Sequence, residues 1–381
     1  MLSGFTMTSW RMRQYLLIIT VWLGGIGTCM LFFQYNWSGC SFQTVPSDLA
    51  PVFRQSTTTS DTSPSTTPAD SHPEKPILLV WVWPETDSFK FDPVECKRRH
   101  DIDGCFLTDD RDLYNRSDAV LFYHKGIKKD LSNLPQTPRP PFQRWIWFNL
   151  ESPTNTRPKA GLENLFNLTL TYRRDSDISV RYEMTVRKRP FENIVIPKKD
   201  KLVCWFVSNT SPGTGAWARI QYYEELKKHI QVNIFGNMAG QRLKDEDYYP
   251  TMSSCKFYLS FENSIHKDYI TEKFNGPITA GTVPVVLGPP RENYEQFAPG
   301  NSFIHVNDFP NASLLAQHLL QLDKDNEAYS HYFDWRKHIS VVPHYSIWNE
   351  EFILPICQAC DYISRHKEYK QVHDLFKWYS S

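Results

Sequence analysis

No charge of one sign prevails in this 381-residue chain: Lys plus Arg and Asp plus Glu number 42 each. Without a net field, and with no long basic run, the sequence does not read as a nucleic-acid binder or a ligand of acidic membrane surfaces. The dinucleotide fingerprint G-x-G-x-x-G is missing too, which counts against an NAD enzyme; the glycines at 213 and 215 do not make one. A single Cys-x-x-Cys, Cys357 to Cys360, lacks the second spaced pair that a structural zinc site needs. No internal repeat stands out.

One long uncharged run is present. Tyr15 to Phe33 spans nineteen residues without a charge, close to the roughly 20 that cross a bilayer as a helix. Arg11 and Arg13 precede it, and no Lys or Arg follows until Arg54. The positive-inside bias then leaves residues 1–14 in the cytosol, makes 15–33 a signal anchor and sends everything beyond into the lumen. A cleaved signal peptide is the rival, but it calls for a shorter apolar stretch and a small-x-small cleavage site.

The rest of the chain suits that address. Asn36, Asn115, Asn167, Asn209 and Asn311 each open an N-x-Ser/Thr acceptor, Asn36 too near the membrane for ready modification. Cys29 lies in the span and Cys40 just beyond it. Six cysteines remain: Cys96, Cys105, Cys204, Cys255, Cys357 and Cys360. An even set in an oxidising compartment reads as three disulfides. Residues 34–76 are dense in Ser, Thr and Pro, too poor in apolar surface to fold, and have the composition of an O-glycosylated stem.

From residue 77 short apolar runs alternate with helical signals. Ile77–Trp83, Ala119–Tyr123 and Trp145–Leu150 read as buried strands. After Lys201 come strands at Leu202–Ser208, Val232–Phe235, Phe257–Phe261, Val283–Leu287 and Ser302–Val306. Helices are expected at Ala216–His229, Tyr269–Ala280 and Ala312–Leu322, the last capped by Asn311 or Ser313. Such alternation implies parallel sheets and two α/β domains, with ligands beyond the carboxyl ends of strands. Many aromatic residues, twelve Trp among them, fill two cores and also suit sugar-stacking surfaces.

Two strand ends carry candidate chemistry. After Trp145–Leu150 stands Glu151, where an apolar strand gives way to a Pro-bounded loop. Partial burial makes such a carboxylate a better general base, although an exposed turn carboxylate fits the same pattern. After Phe257–Phe261 the sequence reads Glu262-Asn-Ser-Ile-His-Lys-Asp-Tyr-Ile-Thr-Glu-Lys273 and leads into a helix, whose first N–H groups can face an anion. Lys273 suits a diphosphate leaving group, Glu272 suits ribose hydroxyls, and Arg219 lies early on the helix after the 211–215 loop. His266 taken alone is as readily a structural histidine. D-x-D pairs at 101/103, 110/112, 175/177, 245/247 and 323/325 do not sit at strand ends, so Arg and Lys are expected to do what a metal would do.

The stretch Phe257–Asp308 closely resembles the signature of the α-1,3-fucosyltransferases. The resemblance continues through Pro138–Pro153, Phe166–Ile178 and Cys357-Gln-Ala-Cys360, covers nearly everything after residue 76, and is strongest toward the Lewis-x-forming branch. It implies an α/β, GT-B-type glycosyltransferase with two Rossmann-like domains. Residues 77–198 would bind the acceptor, 199–345 would bind GDP-fucose, and 346–381 would pack back on the acceptor domain. The implied reaction is inverting transfer of L-fucose to the 3-hydroxyl of N-acetylglucosamine in lactosamine-type glycans. Alternatives are a sialylated or N-glycan-core acceptor, or a non-catalytic luminal glycan binder.

By the same resemblance Glu151 is the general base. Arg219 and Lys273 hold donor phosphate, Tyr269 and Glu272 surround the nucleotide, and Asn263 and His266 belong to the donor motif. The implied disulfides are Cys96–Cys357, Cys105–Cys360 and Cys204–Cys255. Glycans are expected at Asn115, Asn167, Asn209 and Asn311. No obligatory cofactor is implied, a divalent cation being at most stimulatory. The implied location is the Golgi membrane, as a single-pass type II protein, and an oligomer is compatible with it. Three departures stand out. Lys125, where relatives carry Arg or Trp, favours the 3-linkage on type 2 chains. The Ser208–Trp217 loop is longer than usual, and Gly276 with Pro277 should kink or shorten the helix after Lys273.

Overall fold

The computed structural model describes residues 75–84, 91–180, 184–186, 194–211, 214–240, 243–341 and 352–381. The expected anchor at 15–33, the stem up to residue 74, Asn36, Cys29 and Cys40 lie outside them.

Two wholly parallel sheets carry the fold. The first has six strands, β1 (Ile77–Val82), β2 (Phe106–Thr108), β3 (Ala119–Tyr123), β4 (Arg144–Asn149), β5 (Leu168–Thr171) and β6 (Ile178–Ser179), in the order β2-β1-β3-β4-β5-β6. A short β7 (Met184–Val186) pairs outside it with a late strand, β13 (Ile339–Val341), antiparallel. The second sheet has β8 (Lys201–Phe206), β9 (Val232–Phe235), β10 (Cys255–Phe261), β11 (Val283–Leu287) and β12 (Ile304–His305), in the order β12-β11-β10-β8-β9. Every residue of β3, β4 and β11 is buried, as expected of parallel strands covered on both faces.

In each sheet the chain starts in the interior, adds one neighbour, then crosses back to build the other side. That reversal creates a switch point between β1 and β3 in the first sheet and between β8 and β10 in the second. Crevices at such points, outside the carboxyl ends of strands, are where open α/β sheets bind ligands.

The helices are α1 (Val94–His100), α2 (Trp217–Leu226), α3 (Asp245–Ser253), α4 (Glu272–Ala280), α5 (Arg291–Tyr294), α6 (Ala312–Lys324), α7 (Asn326–Ser330), α8 (Ile353–Arg365) and α9 (Leu375–Ser380). Asn311 caps α6 by accepting from the Leu314 amide. Helix α4 runs through Gly276 and Pro277 to Ala280, so the two residues do not shorten it. Its stop comes instead at Gly281, whose φ of 75° suits glycine. α8 and α9 bury Ile353, Ile356, Ile363, Leu375 and Tyr379 in the core of the first sheet.

Three disulfides form: Cys96–Cys357 and Cys105–Cys360 tie α1 and the approach to β2 to α8, and Cys204–Cys255 joins β8 to β10. These are the pairs that the family resemblance implies. Asn115, Asn209 and Asn311 are exposed. Asn167 departs from expectation: it is 1% exposed, its Oδ1 accepts from the Trp145 amide and its Nδ2 donates to the Lys370 carbonyl. A glycan on that nitrogen requires the segment around Lys370 to move away.

Candidate active site

Glu151 stands two residues beyond β4. Asn149, the last residue of that strand, donates from its amide to Thr156 Oγ1 (2.8 Å), and Thr156 Oγ1 donates to the Ser152 carbonyl (2.8 Å), which fixes the loop. Among the described residues the Glu151 carboxylate meets no cation. Its Oε1 accepts from the Ser152 amide (3.1 Å) and from the Tyr269 hydroxyl (2.8 Å), which leaves Oε2 for another donor. Tyr269 comes from the motif after β10, so this hydrogen bond joins the strand ends of the two sheets. Burial first, and then the neighbouring Glu151 carboxylate, push the Tyr269 phenol far above its ordinary value; it stays a donor.

Aromatic rings pack around this pair. Tyr172 meets Tyr269 edge-on at 5.0 Å, and Tyr379 meets Trp147 at 4.8 Å. The Tyr379 hydroxyl donates to the Glu151 carbonyl. Arg173 holds the 378–381 segment in place, donating to the carbonyls of Trp378 and Tyr379 and lying over the Trp378 ring. Trp147 in turn donates to His124 Nδ1 (3.1 Å), so His124 is the neutral tautomer with its Nε2 proton on the Arg157 carbonyl. Burial and the nearby Lys159 lower His124 to about 4.

The second strand end is built from charge. Glu262, 1% exposed, accepts from the Thr271 amide (2.8 Å) and hydroxyl, and lies 3.4 Å from Lys273 Nζ. Lys273 also donates to Glu272 Oε1 (2.8 Å) and Thr271 Oγ1 (2.9 Å). Burial alone would lower the Lys273 ammonium, but Glu272 and Glu262 outweigh it and hold it above its ordinary value. Burial pushes the Glu262 carboxyl upward, against the pull of Lys273. The sequence suggests an anion facing the first N–H groups of α4. Instead Glu262 takes the Thr271 amide and Thr271 Oγ1 takes that of Lys273, so the helix start is already occupied by the protein's own groups.

Arg219, on the first turn of α2, is 3% exposed and lacks a carboxylate within ion-pair reach among the described residues. It donates to the carbonyls of Phe261 (3.1 Å) and Asn209 (2.5 Å), and its Nε is buried without a partner. Burial works against its charge, with Glu262 the largest support. A guanidinium so placed is set up for an anion. It reaches the motif because Gly215 lies against it: a Cβ there would come within 2.4 Å of the Asn263 carbonyl oxygen.

His266 does not join Arg219 and Lys273. Its Nε2 meets Thr154 Oγ1 at 2.6 Å, clasping the donor motif to the Glu151 loop. Asn263 accepts from the Ser264 hydroxyl. Lys125 is exposed on the turn after β3, one strand over from Glu151.

Sequence reasoning gave no role to Glu262, Asp268, Thr154 or Tyr379. Asp268, at a φ of 64°, exchanges hydrogen bonds with Asn293 and accepts from the Arg174 amide, fixing the turn that aims Tyr269. For Glu262 the signal was present, an acid at a strand end in a motif already singled out. Many D-x-D aspartates have structural work instead: Asp101 pairs with Lys97, Asp103 with Lys75, Asp175 with Arg173 and Asp323 with Lys256. Asp110 and Asp325 cap helices.

Comparison with known proteins adds a name to this arrangement. The model "Fucosyltransferase, N-terminal" matches residues 73–183, and "Glycosyltransferase family 10 (fucosyltransferase) C-term" matches 196–378. The 4-galactosyl-N-acetylglucosaminide 3-alpha-L-fucosyltransferase 9 of Mus musculus is 54% identical over 304 residues, 79% of this chain and 81% of the relative. Its Homo sapiens counterpart is equally similar, 54% identical over the same shares. A crystal structure of an alpha1,3-fucosyltransferase with GDP-fucose shares the fold with a TM-score of 0.51 at 17% identity, over 82% of this chain and 96% of that one.

Proposed function

Because the chain belongs to glycosyltransferase family 10, the fucosyltransferases, we propose that it transfers L-fucose from GDP-fucose to the 3-hydroxyl of N-acetylglucosamine in lactosamine-type glycans. The observation that carries this is the Tyr269–Glu151 hydrogen bond. It sets the only strand-end carboxylate without a cationic partner among those described above against the motif that bears Lys273 and stands near Arg219.

In this reading Tyr269 occupies Oε1 and fixes the carboxylate, while Oε2 accepts the proton of the acceptor hydroxyl. The oxygen attacks fucose C1 from the face opposite the nucleotide, inverting the β-linked donor to an α-linkage. GDP leaves with its charge taken up by Lys273 and Arg219. Glu272, at the start of α4 and paired with Lys273, would accept from the ribose hydroxyls. Arg219 is the stronger phosphate candidate of the two cations: it holds only backbone carbonyls, whereas Lys273 already answers two carboxylates.

The proposal extends to architecture and address: a GT-B arrangement with acceptor binding on residues 77–198 and donor binding on 199–345. The segment 15–33 would anchor the enzyme in the Golgi membrane with its body in the lumen, supported by the uncharged run behind Arg11 and Arg13. Incubating the full-length chain with GDP-fucose and N-acetyllactosamine, followed by mass spectrometric linkage analysis, should find fucose on the 3-hydroxyl. Bound donor with no product on that acceptor would sink the reading.

A further inference from the structure

A groove of about 500 Å³ opens beside the first sheet, away from Glu151 and the donor motif. Its walls come from three chain segments: Trp81 near the end of β1, Arg111, Tyr114 and Asn115 from the turn after β2, and Asn133 and Gln136 from the loop after β3. These are the strands that flank the β1/β3 switch point. The second sheet carries its donor motif at the equivalent place, whereas no role above uses the groove on the first.

Its lining combines two rings with hydrogen-bonding side chains, the Asp112 carboxylate among them. Trp81 is half-buried and held edge-on by Tyr114 at 5.4 Å, and its indole N–H donates to the Asn133 carbonyl. The Arg111 guanidinium lies 4.4 Å over the Trp81 ring and donates to the Trp81 carbonyl, which uses one of its five N–H donors and orients the others. Amide groups of Gln136 and Asn115 add uncharged donors and acceptors. The volume falls in the 300–1,000 Å³ range of small-ligand sites, and a lining in which hydrogen-bonding side chains outnumber rings suits a hydroxyl-rich ligand rather than an apolar one.

Position gives the groove its meaning. β1 and β4 are two strands apart, roughly 10 Å at the ordinary strand spacing, with β3 between them. Lys125 sits on the turn after β3, and Asn133 ties the groove wall to that turn, donating to the Gly126 carbonyl (2.9 Å) and accepting from the Lys128 amide (2.8 Å). Glu151, Lys125 and the groove therefore follow one another along a single sheet edge.

We infer that the Trp81–Arg111 groove is an oligosaccharide subsite, holding acceptor sugars beyond the disaccharide that presents the reacting hydroxyl. This rests on the transfer reading above. The same chemistry has a second source, a glycan on Asn115, which lines the groove and opens a sequon.

The test compares KM for N-acetyllactosamine and for its linear three-repeat hexasaccharide on the full-length chain. Wild type should prefer the longer acceptor. Arg111→Ala and Gln136→Ala, both at exposed positions, should raise the hexasaccharide KM, about 10-fold for the hydrogen bond to a charged group lost at Arg111 and about 3-fold for the neutral one lost at Gln136, and leave the disaccharide KM and donor affinity unchanged. If length brings no advantage but Asn115→Gln lowers Tm in wild type and not in Arg111→Ala, the occupant is the Asn115 glycan. Disaccharide turnover with neither effect overturns the inference. No turnover on either acceptor strikes the transfer reading instead.

Discussion

The two strand ends that meet in the site are built from opposite materials. Around Glu151 the partners are a phenol, a backbone amide and edge-on rings, with no ion pair among the described residues. Around Lys273 a buried carboxylate, a second carboxylate and a nearby guanidinium share one small volume. A base that must take a proton is served by neutral contacts, since a cation at its side would stabilise the charge it has to lose. A pocket that must receive a diphosphate leaving group, which gains a negative charge as the C1–O bond breaks, needs fixed cations, and burying them calls for internal anions to hold them in place. The donor side should therefore fail in stability and function together, and the Glu151 carboxylate itself in function alone.

Lys273→Ala is the largest break. It removes donor affinity and leaves Glu262 buried without its cation, so unfolding free energy should fall by about 3–5 kcal/mol. Adding Glu262→Gln should recover much of that stability, read by denaturant melts, and none of the turnover. Recovery of both would mean that Lys273 serves the fold only. Glu151→Gln sits at the other pole. It keeps an oxygen for Tyr269 and loses the base, so kcat should drop about 1,000-fold with Tm and GDP-fucose affinity unchanged. A matching loss of stability would erase the contrast between the two sides.

Much of this was legible in the chain because parallel interior strands are continuous apolar runs. Ala119–Tyr123, Val232–Phe235 and Val283–Leu287 have the bounds that their runs suggest. Strands as short as Phe106–Thr108 and Ile178–Ser179 carry no such run, and α1 is a charged surface helix held by Cys96 rather than by an apolar stripe. Glu151 and Tyr269 could each be named, but their contact bridges 118 positions and depends on how two sheets face each other. The Asp268 turn escaped for a different reason, because a positive φ held by a buried Asn293 leaves no local mark.

On the base side, His124 supports Trp147 and offers a smaller test. The folded group titrates at about 4 and the unfolded one near 6.5. Between those values the unfolded chain binds the extra proton, so this contribution is complete above 6.5 and is lost as pH falls toward 4. The slope reaches about 1.4 kcal/mol per pH unit. His124→Gln should flatten that part of the stability profile and cost about 1–3 kcal/mol at neutral pH. An unchanged acid slope would mean that His124 is not held neutral in the fold.

The smallest effect belongs to Tyr379→Phe, and it decides how the neutral scaffold works. The substitution deletes the hydroxyl that donates to the Glu151 carbonyl and keeps the ring against Trp147 and Tyr172. That carbonyl also receives long contacts from Asn149 Nδ2 and Thr156 Oγ1, both 3.4 Å, so it is not orphaned. The loss should be about 0.5–1 kcal/mol, a two- to fivefold fall in kcat with donor affinity intact. Ring packing is then what aims the base. A fall as deep as that of Glu151→Gln would instead place the aim in one hydrogen bond, and the base side would be as dependent on a single polar contact as the donor side is on Lys273.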